Sequence, residues 1–109
     1  MDKLDKIFLL REEFMLHMQK VHPDVYPPWP VDLTDKVSQQ AVRDVALKGV
    51  EEMFEALAHL KNWKPHRVTE NTSFNKGEFL EEIVDAFNYF LSLLVMTGTT
   101  SEELFDAYV

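Results

Sequence analysis

The 109-residue sequence has no cysteine, only 3 glycines, and no long apolar run. The lack of cysteine excludes disulfides, thiolate metal sites and cysteine catalysis. Positive charge is also scarce, since 11 Lys and Arg face 19 Asp and Glu. The formal net charge of −8 argues against a nucleic-acid binder, because such proteins need a basic surface. No apolar run approaches the ~20 residues that span a membrane, and segment 1–6 is too charged for a signal peptide. We therefore expect a cytoplasmic protein without a membrane partner.

The residues that are present favour one packed domain over residues 1–109. Apolar residues make up 46% of the chain and aromatic residues 12%, a composition typical of a folded domain. The negative charge does not exclude a nucleotide ligand, because Mg²⁺ can bridge carboxylates and phosphates.

Apolar residues recur with helical spacing, and no segment alternates as a strand does. The predicted helices cover about residues 2–20, 34–62, 76–97 and 101–109. Asp32 or Thr34 is the expected cap of the second helix, and a capping box at 100–103 opens the fourth. A proline-rich loop at 23–33 and a polar loop at 65–75 separate the first three. The sequence therefore predicts an all-α fold.

The third predicted helix has an unusually wide apolar arc. At about 100° per residue, its apolar side chains cover more than half of the circumference. They are Phe79, Ile83, Val84, Ala86, Phe87, Phe90, Leu91, Leu93, Leu94 and Val95. Such an arc is typical of burial on two sides, by partner helices and by another subunit. We expect a homodimer or a tetramer.

Carboxylates share one face on each of two helices. Glu78, Glu82 and Asp85 follow i, i+4, i+7 spacing, and Glu52 and Glu55 lie three residues apart. Like charges at i, i+4 destabilise a helix by about 0.2–0.5 kcal/mol, yet no basic residue interrupts the third helix's acidic face. The acids either face water or share Mg²⁺ between the two helices. The repetition of the arrangement on a second helix favours the metal site.

Other metal and phosphate sites fit the sequence less well. A di-iron bundle needs Glu-x-x-His pairs, and none of these acids has a histidine three residues later. The histidines lack the spacing of a zinc site; they are His17, His22, His59 and His66. No Gly-x-x-x-x-Gly-Lys loop is present, so phosphates would depend on metal and isolated basic side chains.

Two motifs carry a family resemblance. Glu-x-x-Glu at 52–55 is followed, after 26 residues, by Glu-x-x-Asp at 82–85. This pattern resembles the signature of the all-α nucleoside triphosphate pyrophosphatases, which include the dimeric dUTPases and the MazG-like enzymes. Segment 60–64, Leu-Lys-Asn-Trp-Lys, is similar to a Trp-Lys segment of the dimeric dUTPases, and segment 82–93 to their second metal-binding helix. The similarity is strongest from about residue 43 to 108.

The resemblance implies a fold, a reaction and a cofactor. The fold would be a four-helix bundle-like MazG/dimeric-dUTPase domain completed by oligomerisation. Glu52, Glu55, Glu82 and Asp85 would coordinate Mg²⁺, or alternatively Mn²⁺, and Glu52 would also activate the attacking water. The reaction would convert dUTP to dUMP and diphosphate, which removes dUTP from the nucleotide pool.

The resemblance also implies four substrate-binding residues. Gln19 would hydrogen-bond the edge of the base and Trp63 would pack against it. Lys64 would contact a phosphate, and Asn88 the sugar or the outer metal shell. Two of them have structural alternatives: Trp63 can cap the helix end, and Lys64 can interact with the helix dipole.

One departure from the family keeps other functions open. In dimeric dUTPases a basic, Asn-containing stretch follows the last short helix, whereas this sequence ends at Val109. Two alternatives therefore stand beside dUTP hydrolysis. One is a MazG-like hydrolase of dCTP or another nucleoside triphosphate, and the other is a non-catalytic helical interaction subunit of the same fold.

Overall fold

The computed structural model describes residues 2–24, 26–67 and 73–109, and the regular structure in them is entirely α-helical. The helices are α1 Lys3–Val21, α2 Lys36–Leu57, α3 Lys76–Met96 and α4 Ser101–Tyr108. The predicted all-α class is therefore confirmed.

The start and end of α2 differ from the prediction. Its N-cap is Asp35, whose carboxylate accepts from the Ser38 amide, and not Asp32 or Thr34. Asp32 instead accepts a hydrogen bond from the Thr34 amide at 2.9 Å, in a local turn before the helix. The helix ends at Leu57 rather than near residue 62, because the amides of His59 and Leu60 bond three residues back instead of four.

The other predicted helix ends are close to those of the structure. In α4 the Thr100 side chain accepts from the Glu103 amide, and the Glu103 carboxylate accepts from the Thr100 amide, so the capping box is confirmed. Gly98 follows α3 with a φ of 74°, as expected for a glycine that ends a helix. An added Cβ there would lie 3.1 Å from Pro30.

Helix α3 is the centre of the fold. It runs antiparallel to α2, since Gly49 lies against Phe90 and His59 against Phe79. α1 packs on α3, and α4 packs on α1. The buried core lies mainly between α1 and the second half of α3 and consists of Phe8, Met15, Leu91, Val95 and Met96.

The proline-rich loop is fixed to the C-terminal end of α3. The Val31 amide donates to the Met96 carbonyl at 2.9 Å, and Pro30 packs against Gly98. Trp29 packs against the core. These contacts hold the loop, and with it Tyr26, beside α1 and α3.

One side of the α2–α3 pair is apolar and exposed. The side chains of this apolar face are 43–65% exposed and are Leu47, Val50, Phe54, Leu57, Leu80, Val84 and Phe87. At about 100° per residue they lie on the opposite side of the helix pair from Glu52 and Asp85. Among the described residues, no helix has the length and apolarity needed to cross a membrane.

Candidate metal centre

Three of the four predicted metal ligands meet between α2 and α3. Glu52, Glu82 and Asp85 each offer a carboxylate oxygen, and these oxygens lie within 4.8 Å of one another. Glu52 and Glu82 are partly buried, whereas Asp85 is exposed. Glu55, one helical turn from Glu52, lies close enough to raise the pKa of Glu52. The four acids therefore form one acidic cluster.

Small residues let the two helices come close enough for the carboxylates to meet. A Cβ at Gly49 would lie 3.1 Å from the Phe90 ring and 3.2 Å from the Tyr89 Cβ. Ala56 and Ala86, fully buried on α2 and α3, extend the tight contact past the acids. Glu52 lies between Gly49 and Ala56 along α2, and Glu82 and Asp85 precede Ala86 on α3 by four residues and by one, so the helix contact sets the spacing of the cluster.

The acids of the cluster repel one another. Desolvation is the largest cause that raises the pKa of Glu52, followed by the hydrogen bond with Glu55 and the charges of Glu55, Asp85 and Glu82. Tyr89 lies beside the cluster, and its pKa is raised by desolvation first and by the charge of Glu52 next. No basic group is among the causes that shift the pKa of Glu52.

The donor set suits a hard divalent cation. Mg²⁺ and Mn²⁺ prefer carboxylate oxygens, and the mutual distances of the three oxygens allow one ion to contact all three. Glu55 extends the cluster along α2 by one further carboxylate. A cation would also remove the repulsion that raises the pKa of Glu52.

Trp63 and Lys64 lie away from the carboxylates, past the end of α2. Trp63 is 69% exposed, and the Lys64 ammonium lies 5.7 Å from the centre of its ring. Trp63 lines an open cavity together with His59 and Phe74. His59 is seven residues beyond Glu52, about 10 Å along a helix. The structure thus places an exposed aromatic surface at the end of the helix pair, two turns from the acidic cluster.

The remaining predicted substrate residues lie on the helices around the cluster. Asn88 is partly buried on α3, one turn beyond Asp85. Gln19 is partly buried near the C-terminal end of α1. In the chain as described, no contact joins either side chain to the acids, so their substrate roles stay predictions.

The sequence patterns did not single out the polar residues beside the cluster. Arg11 donates from Nε to the Ser92 hydroxyl at 2.7 Å and lies close to Tyr26 and Tyr89. Arg11 falls within the apolar stripe of the first helix, and Ser92 is one of the buried residues of α3. A charged residue inside an apolar stripe is a signal available from sequence, but its partner on α3 is not.

Comparison with known proteins found no relative of this chain. No family model matches the chain, and neither a curated protein nor a solved structure matches it. The site is therefore interpreted from its own residues: four acids on two tightly packed helices, with an exposed tryptophan near one end.

Proposed function

We propose that this chain is a Mg²⁺-dependent nucleoside triphosphate pyrophosphohydrolase, with dUTP as the first candidate substrate. The observation that carries the proposal is the approach of Glu52, Glu82 and Asp85 to within 4.8 Å from two different helices. Repulsion between such acids costs folding free energy, so their convergence is best explained by a shared cation. The resemblance of these motifs to the all-α pyrophosphatases supplies the reaction class.

The residues of the cluster have distinct roles in this proposal. Glu52, Glu82 and Asp85 hold Mg²⁺, or alternatively Mn²⁺, and Glu55 adds a ligand beside Glu52. The bound ion supplies charge stabilisation on the phosphate oxygens and acidifies water. Glu52 accepts a proton from the water that attacks the α-phosphorus.

The bond that breaks joins the α-phosphorus to the oxygen bridging to the β-phosphate. Water supplies the oxygen of the new bond, diphosphate leaves with the bridging oxygen, and the proton accepted by Glu52 passes to solvent. The products are a nucleoside monophosphate and diphosphate. With dUTP as substrate the reaction yields dUMP and removes dUTP from the nucleotide pool.

The exposed aromatic surface past α2 supports binding of a base. Trp63 presents most of its ring to solvent, and Phe74 lines the same cavity. In the proposal Trp63 packs on the base and Lys64 contacts a phosphate, while Gln19 and Asn88 bind the base edge and the sugar or outer metal shell. MazG-like hydrolysis of dCTP or another nucleotide uses the same metal centre with a different base.

We infer further that the active form is a homodimer or tetramer in which a second copy covers the apolar face. This face carries seven exposed apolar side chains on two adjacent helices, as expected of a four-helix bundle completed between subunits. The same face favours the second candidate function, a non-catalytic helical interaction subunit, because assembly needs the apolar face and not the acids.

Hydrolysis assays separate the two candidates. Purified protein is incubated with a panel of ribo- and deoxyribonucleoside triphosphates plus Mg²⁺, and monophosphate and diphosphate are quantified. We expect turnover with dUTP foremost, and Glu52→Gln should lower kcat by roughly 10²–10⁴-fold, the range for a general base. Glu51→Gln, an exposed neighbour on the same helix, is the matched control and should retain activity. Absence of turnover with every nucleotide favours the interaction subunit.

A further inference from the structure

Arg11 is a partly buried cation without an acidic partner. Its Nε donates to the Ser92 hydroxyl at 2.7 Å, and its guanidinium carbon lies 4.5 Å from the centre of the Phe14 ring. Across residues 2–24, 26–67 and 73–109, no carboxylate is among the groups that shift its pKa, and the side chains that do so are the phenols of Tyr26 and Tyr89. Burial disfavours its charged form and lowers the pKa. An arginine in this setting lacks the anion that normally accompanies a buried guanidinium.

The position of Arg11 relates it to the acidic cluster. Ser92 lies seven residues beyond Asp85 on α3, about 10 Å along the helix. Tyr89 lies between Asp85 and Ser92 along α3, and the pKa of its phenol is affected by Arg11 and Tyr26 as well as by Glu52 and Asp85. A ligand held at the acids and extending along α3 would reach the guanidinium past Tyr89.

The guanidinium retains the donors that such a ligand needs. Arginine has five N–H donors in a planar fork, and the bond to Ser92 engages the one on Nε. That bond and the contact with Phe14 orient the fork, so the two terminal nitrogens remain for a pair of acceptor atoms. Paired oxygens of a phosphate, or paired acceptors on the edge of a base, match this geometry.

We propose that Arg11 binds a pair of acceptor atoms on the nucleotide, and so is a substrate-recognition residue of the site beside the acidic cluster. The identity of the ligand as a nucleotide rests on the proposed function. Tyr26 and Tyr89 lie close enough to Arg11 to affect its pKa, and so would border a ligand bound there. Arg11 thereby supplies a positive group on the same face of the helix pair as Asp85, since Ser92 and Asp85 lie seven residues apart on α3.

Binding measurements with two probes test this role. The probes are a dUTP analogue with an imido bridge between the α- and β-phosphates, which resists cleavage at that position, and inorganic tripolyphosphate, each titrated calorimetrically with Mg²⁺. We expect Arg11→Gln to weaken binding of the analogue roughly 10- to 100-fold, as for loss of charged hydrogen bonds. Arg43→Gln, an exposed arginine on α2, is the matched control and should bind as the parent does.

The second probe identifies the source of the acceptors. A parallel loss of tripolyphosphate binding in Arg11→Gln assigns the contact to a phosphate, and unchanged tripolyphosphate binding with a weakened analogue assigns it to the base. Should Arg11→Gln fail to fold by circular dichroism, Arg11→Lys replaces it, because lysine keeps the charge and loses the fork. A folded variant that binds both probes as the parent does overturns the proposal, as does a parent that binds neither.

Failure of the proposed function gives a different pattern. If the parent cleaves no nucleotide but binds tripolyphosphate, and Arg11→Gln abolishes that binding, hydrolysis is rejected while the acceptor-binding role of Arg11 stands. If the parent cleaves nucleotides and Arg11→Gln has the same KM as the parent, hydrolysis stands and the role of Arg11 is rejected.

Discussion

The two sides of the α2–α3 pair are incomplete in opposite ways. The acidic cluster brings four carboxylates together, those of Glu52, Glu55, Glu82 and Asp85. No basic group is among the causes that shift the pKa of Glu52. The apolar face presents seven apolar side chains to solvent. One side gathers like charges and the other exposes apolar surface. In the proposed function, the first side binds a cation and the second side binds another subunit.

The largest expected effect comes from a charge placed on the apolar face. Phe54 is 65% exposed, and Phe54→Glu would bury an unpaired carboxylate in an interface formed there. We expect the self-association constant measured by sedimentation equilibrium to fall about 100-fold or more. Val37→Glu, at a 70% exposed position outside the face, should associate as the parent does. A monomeric parent at all concentrations would reject the interface.

The second-largest effect is expected from a substitution in the contact between α2 and α3. Gly49→Val would place a branched side chain against Phe90 and Tyr89, where even a Cβ would lie 3.1–3.2 Å from their atoms. We expect the free energy of unfolding in urea to fall by about 1–3 kcal/mol, as for overpacked interiors. Mg²⁺ binding should weaken as well, because the shift separates Glu52 from Asp85. Asp44→Val, the same side chain at an exposed position of α2, is the control.

The smallest effect is the pH dependence that Glu52 adds to stability in the absence of metal. Its pKa in the folded chain is raised above the ordinary 4.5, so the folded state holds this proton more tightly than the unfolded state does. The destabilisation is therefore absent below about pH 4.5, develops as pH rises through the raised pKa, and is constant above it. In EDTA, Glu52→Gln should raise the melting temperature more at pH 8 than at pH 4. An equal change at both pH values contradicts the repulsion.

The sequence was sufficient for the helices but not for all of their ends. Apolar spacing gives four helices, and the capping box at Thr100 and Glu103 places the start of α4. Asp32 has the chemistry of a cap, yet its carboxylate is used in a local turn with Thr34, which leaves Asp35 to cap α2. Apolar spacing continues to Leu60 although the helix ends at Leu57, because spacing does not register the change in backbone hydrogen bonding.

The candidate site depends on a contact between helices that no single-helix pattern contains. Spacing along α3 predicts that Glu82 and Asp85 share a face, but their approach to Glu52 follows from Gly49 packing against Phe90. Arg11 lies at apolar spacing on α1, and its bond to Ser92 joins residues 81 positions apart. Pairings at such separation are set by tertiary packing, so local periodicity cannot identify them.

Divalent-ion binding is the most direct test of the proposal that the acidic cluster is a metal site. Mn²⁺ is titrated into the metal-free protein and free ion is followed by electron paramagnetic resonance, with Mg²⁺ as competitor. We expect saturable Mn²⁺ binding that Mg²⁺ displaces. Each of the variants Glu52→Gln, Glu82→Gln and Asp85→Asn should weaken this binding at least about tenfold. Glu51→Gln and Glu81→Gln, exposed neighbours on the same helices, should bind as the parent does. Equal Mn²⁺ binding by the parent and the three cluster variants would contradict a metal site at the acidic cluster.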